Sequence, residues 1–267
     1  MYETLDVRRE DSLLWVTLNR PQRLNALNGR MIEELGSLLD GLPEDREARV
    51  VILRGAGKAF CSGWDLKDES AEGSLTGSVD IALRLQRRFS NVILGMRRVP
   101  QPIVACVHGA ATGGGFSVAL GADVRIAGES ASMNCAYIRV GLGGCDAGSS
   151  YFLPRIVGAS NAAELILTGN FIDAARAERI GLVSRVVPDA ELEAAGRTLA
   201  KDIVRNSPLG VRLTKECLNV SIDAGSLEAV IAMEDRNQIL AANSGDFREG
   251  MRAFVEKRPA VFRTGSS

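Results

Sequence analysis

The 267-residue sequence holds one histidine, His108, so a metal centre built from several imidazoles is excluded. Its five cysteines, Cys61, Cys106, Cys135, Cys145 and Cys217, form no C-x-x-C pair, and an odd number cannot complete a disulfide framework. A reducing, cytoplasmic setting is therefore expected. An excess of either charge is also lacking: 32 Lys and Arg face 33 Asp and Glu, a formal net charge of −1. No overall field exists to gather nucleic acid or an anionic membrane, and neither is expected as a partner. The start, Met1-Tyr2-Glu3-Thr4-Leu5-Asp6, is acidic and lacks the basic residues and apolar stretch of a signal peptide, so export is not expected. The long uncharged run from Pro102 to Ala122 contains Pro102, His108 and five glycines, which fits a strand, a tight turn and a helix start better than a membrane span. Internal repeats, low-complexity tracts and an obvious interdomain linker are absent. Gly141-Leu142-Gly143-Gly144-Cys145-Asp146 lacks the third glycine of a dinucleotide fingerprint, and no Gly-Lys-Ser/Thr follows Gly113-Gly114-Gly115, so neither NAD nor ATP is implied.

With 46% hydrophobic residues the chain can bury one substantial core. Leu13 to Leu18 and Val50 to Leu53 read as apolar strands, Ile103 to Val107 and Val124 to Ala127 as further strands, with a strand-like break at Leu182 to Val187. Between them, a helix is expected to open at Asn25 and end at Pro43, carrying Leu27, Met31, Leu35 and Leu39. A second carries Ile81, Leu85, Phe89, Val92, Ile93 and Met96 on one face, and Phe116 to Leu120 begins a buried third. Tyr151 to Val157 reads as a further helix, and the chain beyond Ala159 is mostly helical. Alternating strands and helices mean an α/β fold. Asn206-Ser207-Pro208 marks the expected boundary between a core, 1–205, and a helical region, 206–267. The polar stretch Lys67 to Asp80 is the expected flap.

Two loops pair a strand end with glycines, which let backbone N–H groups approach a ligand. The segments Asn19-Arg20-Pro21-Gln22-Arg23-Leu24-Asn25-Ala26-Leu27, Ala59-Phe60-Cys61-Ser62-Gly63-Trp64-Asp65-Leu66-Lys67 and His108-Gly109-Ala110-Ala111-Thr112-Gly113-Gly114-Gly115 resemble, in order and spacing, the signature stretches of the enoyl-CoA hydratase/isomerase (crotonase) superfamily. Leu167-Thr168-Gly169, Glu178-Arg179-Ile180-Gly181-Leu182-Val183 and Glu249 to Arg258 fit as well, so the resemblance covers nearly the whole chain. It implies a spiral of strand-strand-helix turns followed by a C-terminal helical region that completes trimers or pairs of trimers. It also implies an acyl-CoA substrate, with coenzyme A entering as part of that substrate and no separate cofactor or metal. Two backbone N–H groups, by position those of Trp64 and Gly114, would hold the thioester oxygen as it gains charge, each such donor contributing roughly 2.7–4 kcal/mol. By the same resemblance Arg23, Ala26, Ala59, Ser62, Asp65, Leu66 and Lys67 line the CoA route, while Phe254 and Lys257 reach the adenosine end of a neighbouring subunit's ligand. The alternative for these loops is that they only turn the chain, and each basic residue has an ordinary surface reading.

The sequence departs from the family where hydratases carry two glutamates that position and activate water. Those positions hold Ser117 and Tyr137. A serine hydroxyl is no general base by itself, and a tyrosine with a reference pKa near 10 stays protonated at neutral pH. The nearest replacement is Asp146, at about the place where dienoyl-CoA isomerases use an aspartate as a base and aryl-CoA dehalogenases use one as a nucleophile. Among apolar neighbours and glycines its pKa is expected to rise; the bland alternative is that it caps the following helix. Ser117 either widens the pocket or fixes a water, and Tyr137 either packs in the core or serves as acid or hydrogen-bond partner. His108 is expected in the core at a strand end, and Asp123 is expected to be structural. The leading expectation is an isomerase-like acyl-CoA enzyme with Asp146 moving the proton. Hydration, or CoA-ester hydrolysis or dehalogenation, is the alternative within the same family, and a non-catalytic acyl-CoA binder the alternative outside catalysis.

Overall fold

The computed structural model describes residues 2–68 and 78–262; most of the stretch read as a flap lies outside them. Strands β1 (Leu5–Glu10), β2 (Leu13–Leu18), β3 (Val50–Gly55), β4 (Ile103–Val107), β6 (Val124–Gly128) and β9 (Arg185–Val187) form one sheet in the order β1-β2-β3-β4-β6-β9. β1 and β2 are an antiparallel hairpin, and every later pairing is parallel. β2 and β4 are buried along their whole length and β3 nearly so. That is what continuous apolar runs become when helices cover both faces of a parallel sheet.

One face packs against α1 (Gly29–Gly41), α2 (Val79–Arg98) and α3 (Gly114–Gly121), with Phe60, Phe89 and Phe116 in the main core. The other face, through Trp15, Ile52, Val104 and Ile126, is covered by α7 (Leu192–Val204). Each fully buried Leu, Ile or Phe stabilises this arrangement by about 1.5–3 kcal/mol. The α1 start differs from expectation. Asn25 stands at φ 56 and is not helical, and Asn28 is the cap, its side chain accepting from the Met31 N–H.

A second, smaller sheet runs β5 (Ala110–Thr112), β7 (Ser132–Asn134), β8 (Ile172–Asp173). It is extended by isolated parallel bridges between Cys61 and Ala111 and between Leu27 and Trp64. Each spiral turn thus crosses the large sheet once and then lays a short segment beside the matching segment of its neighbour. This stacking brings three stretches far apart in sequence, 24–27, 61–65 and 110–114, side by side. α4 (Ser149–Val157), α5 (Ala159–Thr168) and α6 (Ala174–Arg179) complete the core.

The chain ends with α8 (Pro208–Ser221), α9 (Leu227–Ala242) and α10 (Gly245–Val255). α8 docks through a polar contact: buried Lys215 donates to Met96 O, Gln101 O and Asp123 Oδ2 at 3.0, 2.8 and 2.8 Å. Asp123 also takes Arg97 at 3.1 Å and the Ile103 N–H at 2.7 Å, and so holds structure as its position implied. Among the described residues no helix is long and apolar enough to cross a membrane.

Candidate active site

The loop after β3 is fixed on both sides. Leu27 N–H donates to Gly63 O at 2.7 Å and Asp65 N–H to Leu27 O at 2.9 Å. In a parallel ladder the residue between two such bonds turns its own N–H to the opposite side. For Trp64 that side is β5, because Cys61 N–H donates to Ala110 O and Thr112 N–H to Cys61 O, at 2.9 and 3.0 Å. The turn needs a glycine at 63. Its φ is +91, and a Cβ there would stand 2.6 Å from Thr112 O and 3.4 Å from Gly114 N. That second distance places the two glycine loops in van der Waals contact.

Gly114 opens α3, so its N–H has no acceptor inside the helix. The peptide unit that carries this N–H also carries Gly113 C=O, which accepts the Ser117 N–H at 3.0 Å and the Tyr137 hydroxyl at 2.9 Å. Both lone pairs are used. A planar trans peptide points its N–H opposite to its C=O, so the two bonds behind Gly113 aim the Gly114 N–H forward. Gly115 is tied as closely, since a Cβ there would fall 2.2 Å from Cys61 O.

Ser117 and Tyr137 are buried, and their hydroxyls bond each other. Ser117 Oγ also donates to Asp146 O at 3.1 Å. Two hydroxyl protons are shared among three contacts, so two of the three are hydrogen bonds at any one time, and both groups are neutral hydroxyls rather than carboxylates. Burial pushes the Tyr137 pKa well above the ordinary phenol value, keeping the group neutral.

Asp146 stands in the loop before α4, followed by two residues with positive φ, Ala147 at 41 and Gly148 at 87. A non-glycine residue in that region costs roughly 1–2 kcal/mol. The carboxylate caps no helix amide: the α4 N-cap is Gly148, without a side-chain bond. Instead it accepts Gln86 Nε2 from α2. The backbone is held separately, Asp146 N–H donating to Ser149 Oγ at 3.0 Å and Ser149 N–H to Asp146 O at 2.9 Å. Burial raises the Asp146 pKa above the usual carboxylate value, and the Gln86 bond opposes part of that rise. Beyond Ala147 and Gly148 opens an apolar cavity of about 590 Å³, lined by Ile93, Leu94, Phe152, Ile156 and Ile222.

The residues expected along a CoA route fall together at the loop edge but differ in availability. Arg23, Leu66 and Lys67 are exposed, Ser62 is half-buried, and Ala26 and Ala59 are buried. The Asp65 carboxylate is buried and engaged by Arg20 at 2.9 Å and by the Lys67 N–H at 3.2 Å, so its role in the structure is to shape the loop. Phe254 and Lys257 are exposed at the end of α10, away from the core. His108 corrects an expectation, for it is half-buried rather than in the core, and its Nε2 meets Gly57 O at 3.0 Å. Reasoning from sequence missed Arg20, which also donates to Ala26 O at 2.5 Å, and Asn25, whose amide donates to Ala56 O and Ala59 O, both at 2.8 Å. It missed Gln86 as well.

Comparison with known proteins fits this geometry. The model of the family "Enoyl-CoA hydratase/isomerase" matches residues 8–265. The chain belongs to that family. Its enzymes include the 1,2-epoxyphenylacetyl-CoA isomerase of Escherichia coli strain K12, 34% identical over 254 residues that span 95% of both chains. A Mycobacterium bovis protein named "Probable enoyl-CoA hydratase echA12" is 40% identical over 250 residues, 92% of this chain and 88% of that one. The crystal structure of enoyl-CoA hydratase from Bacillus anthracis superposes with a TM-score of 0.93 at 34% identity, covering 98% of this chain and 100% of the other. The chain is thus an acyl-CoA enzyme of the hydratase/isomerase family, with the mixed α/β fold of its solved relatives.

Proposed function

We propose that this enzyme is an acyl-CoA isomerase in which Asp146 moves a proton between two carbons of the acyl chain. The carboxylate takes a proton from a carbon in conjugation with the thioester, and the electron pair passes to the carbonyl oxygen as an enolate. The Trp64 and Gly114 N–H groups hold that oxyanion. The same carboxyl then returns the proton at the other end of the conjugated system, and the double bond moves with no atom gained or lost. The observation that carries this reading is the Asp146 carboxylate itself: it is half-buried, bonded to Gln86 and released from helix capping, while Ser117 bonds its backbone. A pKa raised by burial suits proton transfer near neutrality.

The name of the E. coli relative, an isomerase, supports the same reaction class. Hydration by a pair of acids at the glutamate positions is disfavoured, because those positions hold two neutral hydroxyls engaged with each other and with backbone carbonyls. Tyr137 accordingly acts as a positioning residue, aiming the Gly113–Gly114 peptide. The apolar cavity beyond Gly148 takes the distal part of the acyl group. Exposed Leu218, Leu227, Ile231, Phe247 and Met251 on α8–α10, helices whose buried side chains are mainly polar, mark a surface for other copies of the chain. We assign it to a homotrimer, or a pair of trimers, working in the cytoplasm.

The test is exchange of substrate carbon-bound hydrogen with solvent deuterium, across a panel of 2-enoyl, 3-enoyl, dienoyl and aryl CoA esters. Exchange on at least one ester should fall by about 10²–10⁴ in Asp146→Asn. Undiminished exchange in that variant removes Asp146 from the chemistry. Crotonyl-CoA hydration should be slow, and turnover at the usual enzymatic order of 1–10³ per second would overturn the isomerase reading.

A further inference from the structure

A second cavity, of about 630 Å³, lies between the core and the C-terminal helices. It is lined by Ala48 and Arg49 just before β3 and by Pro100 and Gln101 just before β4. These are the amino ends of parallel strands whose carboxyl ends lead to the glycine loops. Six residues of strand separate the two places, roughly 20 Å, so this cavity is no part of the thioester site.

Its charge is one-sided. Arg46, Arg49, Arg212 and Arg248 line it, against a single carboxylate, Asp246, which makes 4 − 1 = +3. Asp246 is buried and accepts the Ser207 hydroxyl at 2.7 Å. None of the four arginines has a carboxylate within ion-pair distance among the described residues. Arg49 and Arg212 are half-buried, and that makes the absence informative. Arg20, Arg54, Arg97, Arg176, Arg197 and Arg258 are likewise half-buried, and each has a carboxylate partner. Arg125, the remaining case, is bonded to backbone carbonyls. Arg49 reaches only Asn206 O at 2.5 Å, and Arg212 has no acceptor among the described residues. Burial and the neighbouring Arg212 both hold the Arg49 pKa below its ordinary value, with Asp246 opposing. Gathering like charges around a concavity costs stability unless an anion offsets it. α8 and α10 also begin in its wall, at Pro208 and Gly245, and add partial positive charge.

We infer that this cavity is a binding site for a polyphosphate-bearing small molecule of the nucleotide class. Guanidinium forks match phosphoryl oxygens in pairs, and a net +3 calls for a ligand with two or more phosphoryl charges. Ile203, Val204, Leu209 and Leu240 supply an apolar wall for a ring, and the volume lies in the range of small-molecule sites. The ligand would join α8 and α10 to the core, raising the melting temperature by mass action.

The test uses the full chain without acyl-CoA, which itself carries a nucleoside diphosphate; binding at the thioester loops is the part that persists when Arg49 and Arg212 are replaced. Calorimetry with ADP and with inorganic pyrophosphate should each give saturable binding of one ligand per chain, weakening as salt is raised. Arg49→Gln/Arg212→Gln should weaken both at least about tenfold, the loss of two charge-assisted contacts. The unliganded double variant should melt no lower than the parent, which shows that it folds. ADP binding alone, without pyrophosphate, would mean that the ring and not the phosphates is recognised and would overturn the inference. Absence of saturable binding at about 50 mM salt, where screening is weak, would overturn it, as would affinity unchanged in the double variant. A double variant that binds neither probe differently but sediments as a smaller species would assign the arginines to carboxylates of another copy, and the inference would fail.

Discussion

Tyr137→Phe isolates the proposed link between the buried hydroxyls and the oxyanion donors. The ring stays, so its packing against Gly113 is kept, and only the oxygen is lost. Gly113 O then retains one donor, the Ser117 N–H at 3.0 Å, and Ser117 Oγ retains Asp146 O at 3.1 Å. Loss of the contacts to Gly113 O and Ser117 Oγ should lower stability by about 1–3 kcal/mol. The effect on rate is separate. An oxyanion donor contributes roughly 2.7–4 kcal/mol when well aimed, and releasing one of the two bonds that aim the Gly114 peptide should forfeit about 1–2 kcal/mol of that, a five- to thirtyfold fall in kcat. KM should stay within about twofold, because the CoA route lies across other residues and an interaction made only in the transition state leaves KM unchanged. A ligand that mimics the enolate should lose affinity in parallel with kcat. Steady-state kinetics, a melting curve and inhibition by such a mimic read these quantities. A variant that melts lower yet turns over at the parent rate refutes the reasoning and leaves Tyr137 a packing residue.

Other perturbations have equally definite outcomes. Because burial raises the Asp146 pKa, the acid limb of kcat/KM should lie above the ordinary carboxylate range. The folded state then holds this proton more tightly than the unfolded one, so the contribution to stability is present at low pH and is lost as pH rises from the ordinary carboxylate value through the raised one. Asp146→Asn, neutral throughout, should therefore melt higher than the parent above that window; an equal or lower melting temperature at pH 7 contradicts it. Gly63→Ala must place a Cβ 2.6 Å from Thr112 O at a φ of +91, and should cost more than about 2 kcal/mol by denaturant titration, with activity lost in the fraction that folds. Lys215→Met leaves Asp123 with Arg97 and the Ile103 N–H but empties two carbonyls, and should destabilise by about 3 kcal/mol.

Much of the large sheet was legible because β2, β3 and β4 are mostly apolar runs, a signal that survives without tertiary information. β1 was not. Arg8, Arg9 and Glu10 look like surface loop, and they form a strand only because it is an edge, with Arg8 opposite Trp15 and lying over its ring. The small sheet was invisible for another reason: segments of two or three residues carry no period, and the spiral alone aligns them. Asn25 and Asn28 are both good cap residues, and only the fold chooses between them. At the site, the glycines signalled close backbone approach, and the glutamate gaps at Ser117 and Tyr137 pointed to altered chemistry. What they do in place of glutamates depends on contacts that spacing cannot express. Gln86 left no signal, being a polar residue on an amphipathic helix, where a solvated role is the ordinary one.

The three departures at Ser117, Tyr137 and Asp146 are one electrostatic choice. A carboxylate at either of the first two positions would stand near Asp146, since Ser117 Oγ bonds the Asp146 main-chain carbonyl and the Asp146 charge is felt at Tyr137. Like charges in one site push a carboxyl pKa up, so a chain with acids at both places would have difficulty ionising a third at neutral pH. Neutral hydroxyls remove that penalty, leaving burial as the one cause that raises Asp146, with Gln86 and the Ala147 N–H opposing it. On the proposed mechanism, losing the glutamates and gaining a working aspartate are then coupled. Ser117→Asp, the smallest carboxylate that the site could take, should move the acid limb of kcat/KM upward by on the order of one to two pH units. It should also depress activity at pH 7 far more than at pH 9. An acid limb that stays where the parent has it, in a variant shown to fold by its melting curve, would mean that the three positions are electrostatically independent.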